Sequence, residues 1–319
     1  MIRVNIRHAG GVTAFTPTRI TLKSVLSRPT ELVAEIPVTG ETALFGSDPL
    51  IREGSEVTLT EDGETRFRGY LFTFLFTGTA VRLSCFDLLY YLDYKDTRVF
   101  RRKKLSEIVR EAAGEQLLPT GEIADSIHPL PTIICDGGSM LTLLSDAIDS
   151  TYAATGKRFF LRGKDGVLCL LDGSRAESVA AIGGQNILSF ALLRDLSGCA
   201  AKVVLLRRDD RRGYESVTVR EDKALSQSWG PLCYFERVSS SLGDGEVEAL
   251  ADSIFAQKTE AQVALTGTAR ADLRCLAGEA VDVTVAHAGI SGKFLIESAQ
   301  ITLDARKETM TLRLVPAGK

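Results

Sequence analysis

The sequence predicts an α+β chain that is mainly β: two small antiparallel β-barrel domains with a helix–helix–hairpin α+β unit inserted between them. Three observations carry this. Apolar residues alternate at period two near both ends, as in Val57 and Leu59 and again in Met310, Leu312 and Leu314. Between them the period lengthens to that of a helix, with Leu105, Ile108, Val109 and Ala112 on one face. A length of 319 residues also leaves room for two or three cores. The expected units are 1–93, a first barrel; 94–185, the α+β unit; and 186–319, a second barrel with a short helix near 246–258.

The first unit is organised around residues 57–92. Asp62-Gly63 tolerates the positive φ angles of a tight hairpin. The return strand runs through Phe67 and Gly69, and a glycine inside a strand fits a bulge or a sharp bend. Residues 70–76 are so rich in aromatic and β-branched side chains that they read as strand. Thr77-Gly78-Thr79 turns the chain, and Val81, Leu83 and Cys85 alternate on the way back. Upstream, residues 2–6 and 19–38 read as strands, Gly40 punctuates, and 45–49 reads as a loop. Successive short hairpins, each with one apolar face, suggest a barrel or sandwich.

In the middle unit the first helix ends at Leu117-Leu118-Pro119, because the residue before proline resists helix. Ser139 caps a second helix bearing Leu141, Leu144, Ile148 and Tyr152, and Gly156 closes it. A hairpin follows, with Lys164-Asp165-Gly166 at its turn. In the last unit, strands at 187–193, 200–207 and 215–220 surround a charged tip at 207–213. Val247, Leu250, Ala251 and Ile254 make a helix, and strands at 262–269, 279–286, 293–303 and 308–315 complete the second barrel.

Composition narrows the function. A formal charge of −3 gives no support to a dedicated nucleic-acid binder. The sequence contains no 18-residue apolar run, so membrane insertion is not expected. The N-terminal residues carry no apolar core of signal-peptide length, which predicts synthesis and first folding in a cytoplasm. Six cysteines, 30 or more residues apart and without a CxxC pair, read as free thiols, mostly buried. His8, His128 and His287 show no metal-ligand spacing, so no metal and no cofactor is assigned. The carboxylate pairs Asp87/Asp93 and Asp146/Asp149 read as solvated turn and helix faces. No nucleophile, base and orienter can be nominated together, so no catalytic residue is assigned and an enzyme is not expected. The sharpest feature is the stripe Tyr70, Phe72, Phe74 and Phe76, read as sharing one face of one strand. It is either barrel core or an exposed subunit interface.

The stretch FRGYLFTFLFTGTAVRLSCFDLLYYL resembles the end of the first barrel in phage tail hub proteins. LSEIVREAAGEQLLPTGEI is similar to the segment that follows there, and residues 139–172 resemble the family's helix and hairpin. Asp272-Leu273-Arg274, Gly278-Glu279, Gly289-Ile290, Gly292 and Phe294 stand where the family's closing barrel has its pattern. Glu279 replaces the family's usual aspartate, and Leu303-Asp304 stands where a histidine is often found. Residues 55–315 thus resemble contractile-tail baseplate hubs of the PBSX (XkdQ-like) and late-control D groups, and more distantly the T-even phage hub. The resemblance implies a structural homotrimer, with tail tube protein above and spike protein below. Its two barrels per chain would form a pseudo-sixfold ring joining the sixfold tube to the threefold spike. Tape-measure and other baseplate proteins are further implied partners. The particle, a virion or a phage-tail-like bacteriocin (tailocin), would assemble in the bacterial cytoplasm. Edge strands are the natural joints of such a ring, and the strands bearing Tyr70, Phe72, Phe74 and Phe76 and bearing Met310 and Leu312 are nominated. The alternatives are a tail-associated cell-wall hydrolase and a carbohydrate-binding β protein.

Overall fold

Alternating burial writes the first unit strand by strand. Its strands are β1 (Ile2–His8), β2 (Gly11–Phe15), β3 (Arg19–Val25), β4 (Glu31–Pro37), β5 (Glu56–Glu61), β6 (Glu64–Phe76) and β7 (Ala80–Phe86). In β3, Ile20, Leu22 and Ser24 point inward while Arg19, Lys23 and Val25 face out. Asp62 and Gly63, at φ 50° and 89°, make the two-residue turn between β5 and β6. The computed structural model describes residues 1–38, 44, 50–184, 186–209 and 213–317. Gly40, the loop expected at 45–49 and residues 210–212 of the charged tip lie outside the described residues.

The middle unit follows with β8 (Lys95–Phe100), α1 (Leu105–Glu115), β9 (Thr120–Ile123), β10 (Ile133–Ser139), α2 (Met140–Thr155), β11 (Phe159–Lys164) and β12 (Val167–Asp172). The Ser139 hydroxyl accepts from the Thr142 amide, and Gly156 ends α2 in the left-handed conformation, as expected from the sequence. Leu105, Ile108, Val109 and Ala112 of α1 share a core with Leu144 of α2 and with Leu168 and Leu170 of the hairpin. The chain continues through β13 (Ser178–Gly183), β14 (Ile187–Asp195), β15 (Lys202–Asp209), β16 (Tyr214–Glu221), α3 (Lys223–Trp229), β17 (Cys233–Val238) and α4 (Asp244–Lys258). It ends with β18 (Gln262–Arg270), β19 (Ala280–Val285), β20 (Ile290–Asp304) and β21 (Glu308–Pro316).

The two β ends are not separate. They form one 13-stranded sheet in the order β14-β18-β21-β20-β3-β4-β7-β6-β5-β1-β2, with β19 and β13 branching from β20. Among the described residues no strand pairing closes either end into a barrel. The join is an antiparallel ladder between β20 and β3, from Ser298 opposite Val25 to Asp304 opposite Arg19. Leu22 and Ile301 face each other across it and are both buried in a core that both ends share. The strands expected at 200–207 and 215–220 also leave the second barrel. As β15 and β16 they join β17 in a separate three-stranded sheet, packed against α4 through Val203, Leu205, Val247, Ala251 and Ile254. That unit is tied to the middle one: Ser253 Oγ and Gln257 Nε2 of α4 donate to the Ala153 and Tyr152 carbonyls near the end of α2, at 2.7 and 2.9 Å. Carbonyls in the last turn of a helix lack intrahelical partners, so the Ala153 carbonyl finds its donors here, while the Tyr152 carbonyl also accepts from the Gly156 amide at 2.7 Å.

Gly69 is not the bulge residue. It pairs with Val57 in register, and the irregularities of β6 lie on either side of it, between Thr65 and Phe67 and between Leu71 and Thr73. A Cβ at Gly69 would stand 2.3 Å from the Phe86 carbonyl oxygen and 2.5 Å from the Phe67 ring, so the constraint is close approach. Gly69→Ala should therefore cost about 1–3 kcal/mol by overpacking against backbone. Gly114→Ala, in α1 with open space around it, should instead stabilise by about 0.5–1 kcal/mol. Urea unfolding of the two variants checks the opposite signs.

Candidate interaction surfaces and the three-unit junction

The bulge in β6 decides the fate of the aromatic stripe. Before it, Tyr70 stands opposite Phe86; after it, Phe74 stands opposite the buried Leu83. One inserted residue reverses the in–out phase of a strand. The four side chains therefore do not share a face. Phe74 packs against the core, and Phe76 is 47% exposed at the strand end. Tyr70 and Phe72 turn the other way and join Phe86, Tyr90 and Tyr91 in a half-exposed cluster. Phe72 lies 4.4 Å from Tyr90 and 5.4 Å from Phe86, and Tyr70 lies 5.5 Å from Tyr91, centroid to centroid. Tyr90 and Tyr91 come from the turn after β7, which the sequence pattern did not link to the stripe.

Met310 and Leu312 are buried in the shared core. The strands nominated as edges are central ones: β6 lies between β5 and β7, and β21 between β20 and β18. The ends of the sheet path are β2 and β14. β14 carries Leu188, Leu192 and Leu193 at 63, 39 and 51% exposure. Because side chains alternate along a strand, this edge is apolar on both faces. On the separate sheet, Val217, Val219 and Phe235 are also exposed.

Where the first unit, the β11–β12 hairpin and the loop before β19 meet, polar groups gather around a cavity of about 270 Å3. Arg162 pairs with Glu279 there. The Ser24 hydroxyl accepts from the Ala277 amide at 2.9 Å, and the Ser27 hydroxyl from the Leu161 amide at 3.1 Å; both serines are buried. Asp87, expected on a solvated turn, is 2% exposed and lines the cavity. Its carboxylate accepts from the Leu89 amide at 3.1 Å, capping the short turn that holds Tyr90 and Tyr91. Burial pushes this carboxyl up to about 7, against hydrogen bonds from Thr30 and Leu89 and the charge of Arg162, which pull it down. A Cβ on Gly163 would lie 3.1 Å from that carboxyl, so only glycine lets the hairpin seat on it.

Asp146 and Asp149 lie on the exposed side of α2, as expected. Arg207, expected at a solvated tip, is buried instead. It donates to the Leu242 carbonyl at 2.6 Å and to the Tyr214 hydroxyl at 3.1 Å, and pairs with Asp244. His8 bonds Thr13 Oγ1 at 2.8 Å, and the side chain of His287 lies outside the described residues. Among the described residues no group of three or more His, Cys, Asp or Glu side chains is placed to hold a metal ion. Burial pushes the Cys85 and Cys275 thiols up to about 12.

This arrangement defines a class of fold: a mainly β chain whose ends share one sheet and flank an α+β unit. The 43 kDa tail protein of prophage MuSo2 from Shewanella oneidensis shares it, with a TM-score of 0.67 at 14% identity over 99% of this chain and 98% of that one. So does the E. coli c3393 protein, a type VI secretion component with structural similarity to the T4 bacteriophage tail proteins gp27 and gp5; the TM-score is 0.60 at 10% identity over 98% and 76% of the two chains. In sequence, the phage-like element PBSX protein XkdQ of Bacillus subtilis (strain 168) is 24% identical over 271 residues, 83% of this chain and 82% of that protein. The YqbQ-like family model matches residues 23–315, and the chain belongs to that family. The resemblance read between residues 55 and 315 is borne out and extends further toward the N-terminus.

The Asp87 carboxyl gives a pH prediction. The unfolded chain releases this proton near 3.8, the folded chain near 7. Its contribution to stability is thus full below about 4 and is lost as the pH rises through about 7. Asp87→Asn should flatten the fall in unfolding free energy between about pH 4 and 7, by up to about 1.4 kcal/mol per pH unit. Urea titrations of both proteins across that range check it; equal slopes would contradict the assignment.

Proposed function

We propose that this chain is the structural hub of a contractile-tail or injection-particle baseplate, acting without catalysis as a symmetry adaptor. Three copies form a ring that joins a sixfold tail tube above to a threefold spike below. The observation that supports this best is the fixed register between the two β ends. Both lie in one sheet over one core, so each chain offers two β units as a rigid pair. Three such pairs present six similar units, which is what an adaptor between sixfold and threefold neighbours needs. The two units stand in for the paired barrels expected from the sequence. Membership of the YqbQ-like family and likeness to phage tail proteins agree with the reading.

A ring of this kind closes by head-to-tail contacts. Its joints are the β14 edge of one copy and the β2 edge of the next, whose backbone groups can continue the ladder. Exposed leucines on β14 then lie inside the assembly. The cluster of Tyr70, Phe72, Tyr90 and Tyr91 remains as a second surface, facing the tube, the spike or another baseplate protein. Phe74, Met310 and Leu312 contribute by holding the strands behind these surfaces. The hub assembles in the bacterial cytoplasm and ends in the virion or phage-tail-like particle, with a tape-measure protein as a further partner.

Light scattering on the purified protein should give a mass three times 34.5 kDa, and on the mixture with its spike that mass plus the mass of the spike. Leu193→Lys should leave a folded monomer by circular dichroism. A wild-type chain that stays monomeric at high concentration and with the spike present would overturn the trimer.

A further inference from the structure

The junction cavity is built for more than cohesion. Five cations line it: Arg66 and Arg68 from β6, Arg162 and Lys164 from the hairpin, and Arg274 from the loop before β19. Three carboxyl groups share the wall, those of Asp87, Asp165 and Glu279. Three of the cations have acidic partners: Arg66 pairs with Glu61 at 3.1 Å, Arg274 with Asp272 at 2.7 Å, and Arg162 with Glu279. Arg68 and Lys164 do not. Among the described residues neither meets a carboxylate within 4 Å, and Arg68 donates only to the Asp165 carbonyl, at 3.3 Å. They stand on different units, one on the first sheet and one on the hairpin. A surface lysine or arginine alone would mean nothing; here two open cations border one cavity whose other cations are already neutralised.

The remaining wall is apolar except for Thr30 and Thr65, with Phe67, Val179 and Leu273 among its side chains. A free inorganic anion gains nothing from such a wall, because it would exchange water for hydrocarbon. A carboxylate carried on a peptide gains from both parts: guanidinium and ammonium donors for its oxygens, and apolar surface for its neighbour. A volume of about 270 Å3 suits one or two side chains. We infer that this cavity is a docking site for an acidic–apolar segment of a partner protein, with Arg68 and Lys164 as the groups that take its carboxylates. The site draws on all three units, so occupation would brace the hairpin against the sheet. The inference does not depend on the number of copies in the ring.

The test uses the full chain and a fluorescein-labelled peptide of alternating glutamate and leucine, followed by fluorescence anisotropy. Its glutamine–leucine counterpart and inorganic phosphate serve as controls. Binding should weaken at least tenfold in Arg68→Glu/Lys164→Glu, and also on replacing glutamate by glutamine. The single variants Arg68→Ala and Lys164→Ala should each weaken it several-fold, and circular dichroism should be unchanged in all of them. Raising salt should weaken it further, as expected for exposed charges. Binding that survives the charge reversal, a glutamine peptide that binds equally well, or no peptide binding at millimolar concentration would each overturn the site. Phosphate that binds by calorimetry while the peptide does not bind would assign the cations to a free anion and overturn the partner.

Discussion

The structure depends on one ladder, the antiparallel pairing of β20 with β3. β20 is 15 residues long, and no single neighbour on that side uses all of it. Its first six residues pair with β19 and its last seven with β3, while β21 runs along the other side. The change of partner coincides with a register shift between Ile296 and Ser298. A bulge re-aims a strand and raises its local twist, which lets one strand serve two neighbours at different angles. Glu297, the extra residue, still finds work for its backbone: its carbonyl accepts from the Leu26 amide at 3.0 Å. Since β3 leads into the first β end and β20 into the last, this ladder makes the shared core continuous.

Around that ladder, small buried hydroxyls and paired charges fix the third component. Ser24 sits on β3 and Ser27 just after it, and each accepts one backbone amide from another part of the chain. A buried amide left without an acceptor costs about 1–3 kcal/mol, so these bonds specify the docking as well as contribute to it. The Arg162–Glu279 pair and the buried carboxyl of Asp87 lie beside them. The same chain segment that buries Asp87 also projects Tyr90 and Tyr91 outward. Cohesion inside and the aromatic surface outside are therefore set by one short turn.

Much of this was legible in the sequence where local chemistry decides. Ser139 and Gly156 bracket α2 because cap preferences are local, and Asp62-Gly63 makes its turn because few other pairs accept two positive φ angles. What was not legible came from pairing at a distance. Period two identifies a strand without naming its neighbours, so β6 and β21 could be nominated as edges although both are central. The phase reversal that splits Tyr70 and Phe72 from Phe74 depends on a bulge that alternation alone does not mark. Lys293 to Leu303 reads as one barrel strand, and only the partners of β20 show that it joins two ends. Asp87 resembles any turn aspartate until the hairpin carrying Gly163 closes over it. Of the interaction surfaces, the aromatic residues were visible and their grouping was not; the β14 edge gave a strand signal with no sign of its exposure.

The central claim is that the two β ends are one cooperative body joined at β20 and β3. Native-state hydrogen exchange tests it directly, because opening free energies resolve which segments unfold together. Amides of the β20–β3 ladder, such as those of Ala299 and Ile301, should exchange only with global unfolding, at the same free energy as core amides of β4 and β21. Ladder amides that exchange well before both cores, or two cores with separate unfolding free energies, would contradict the account.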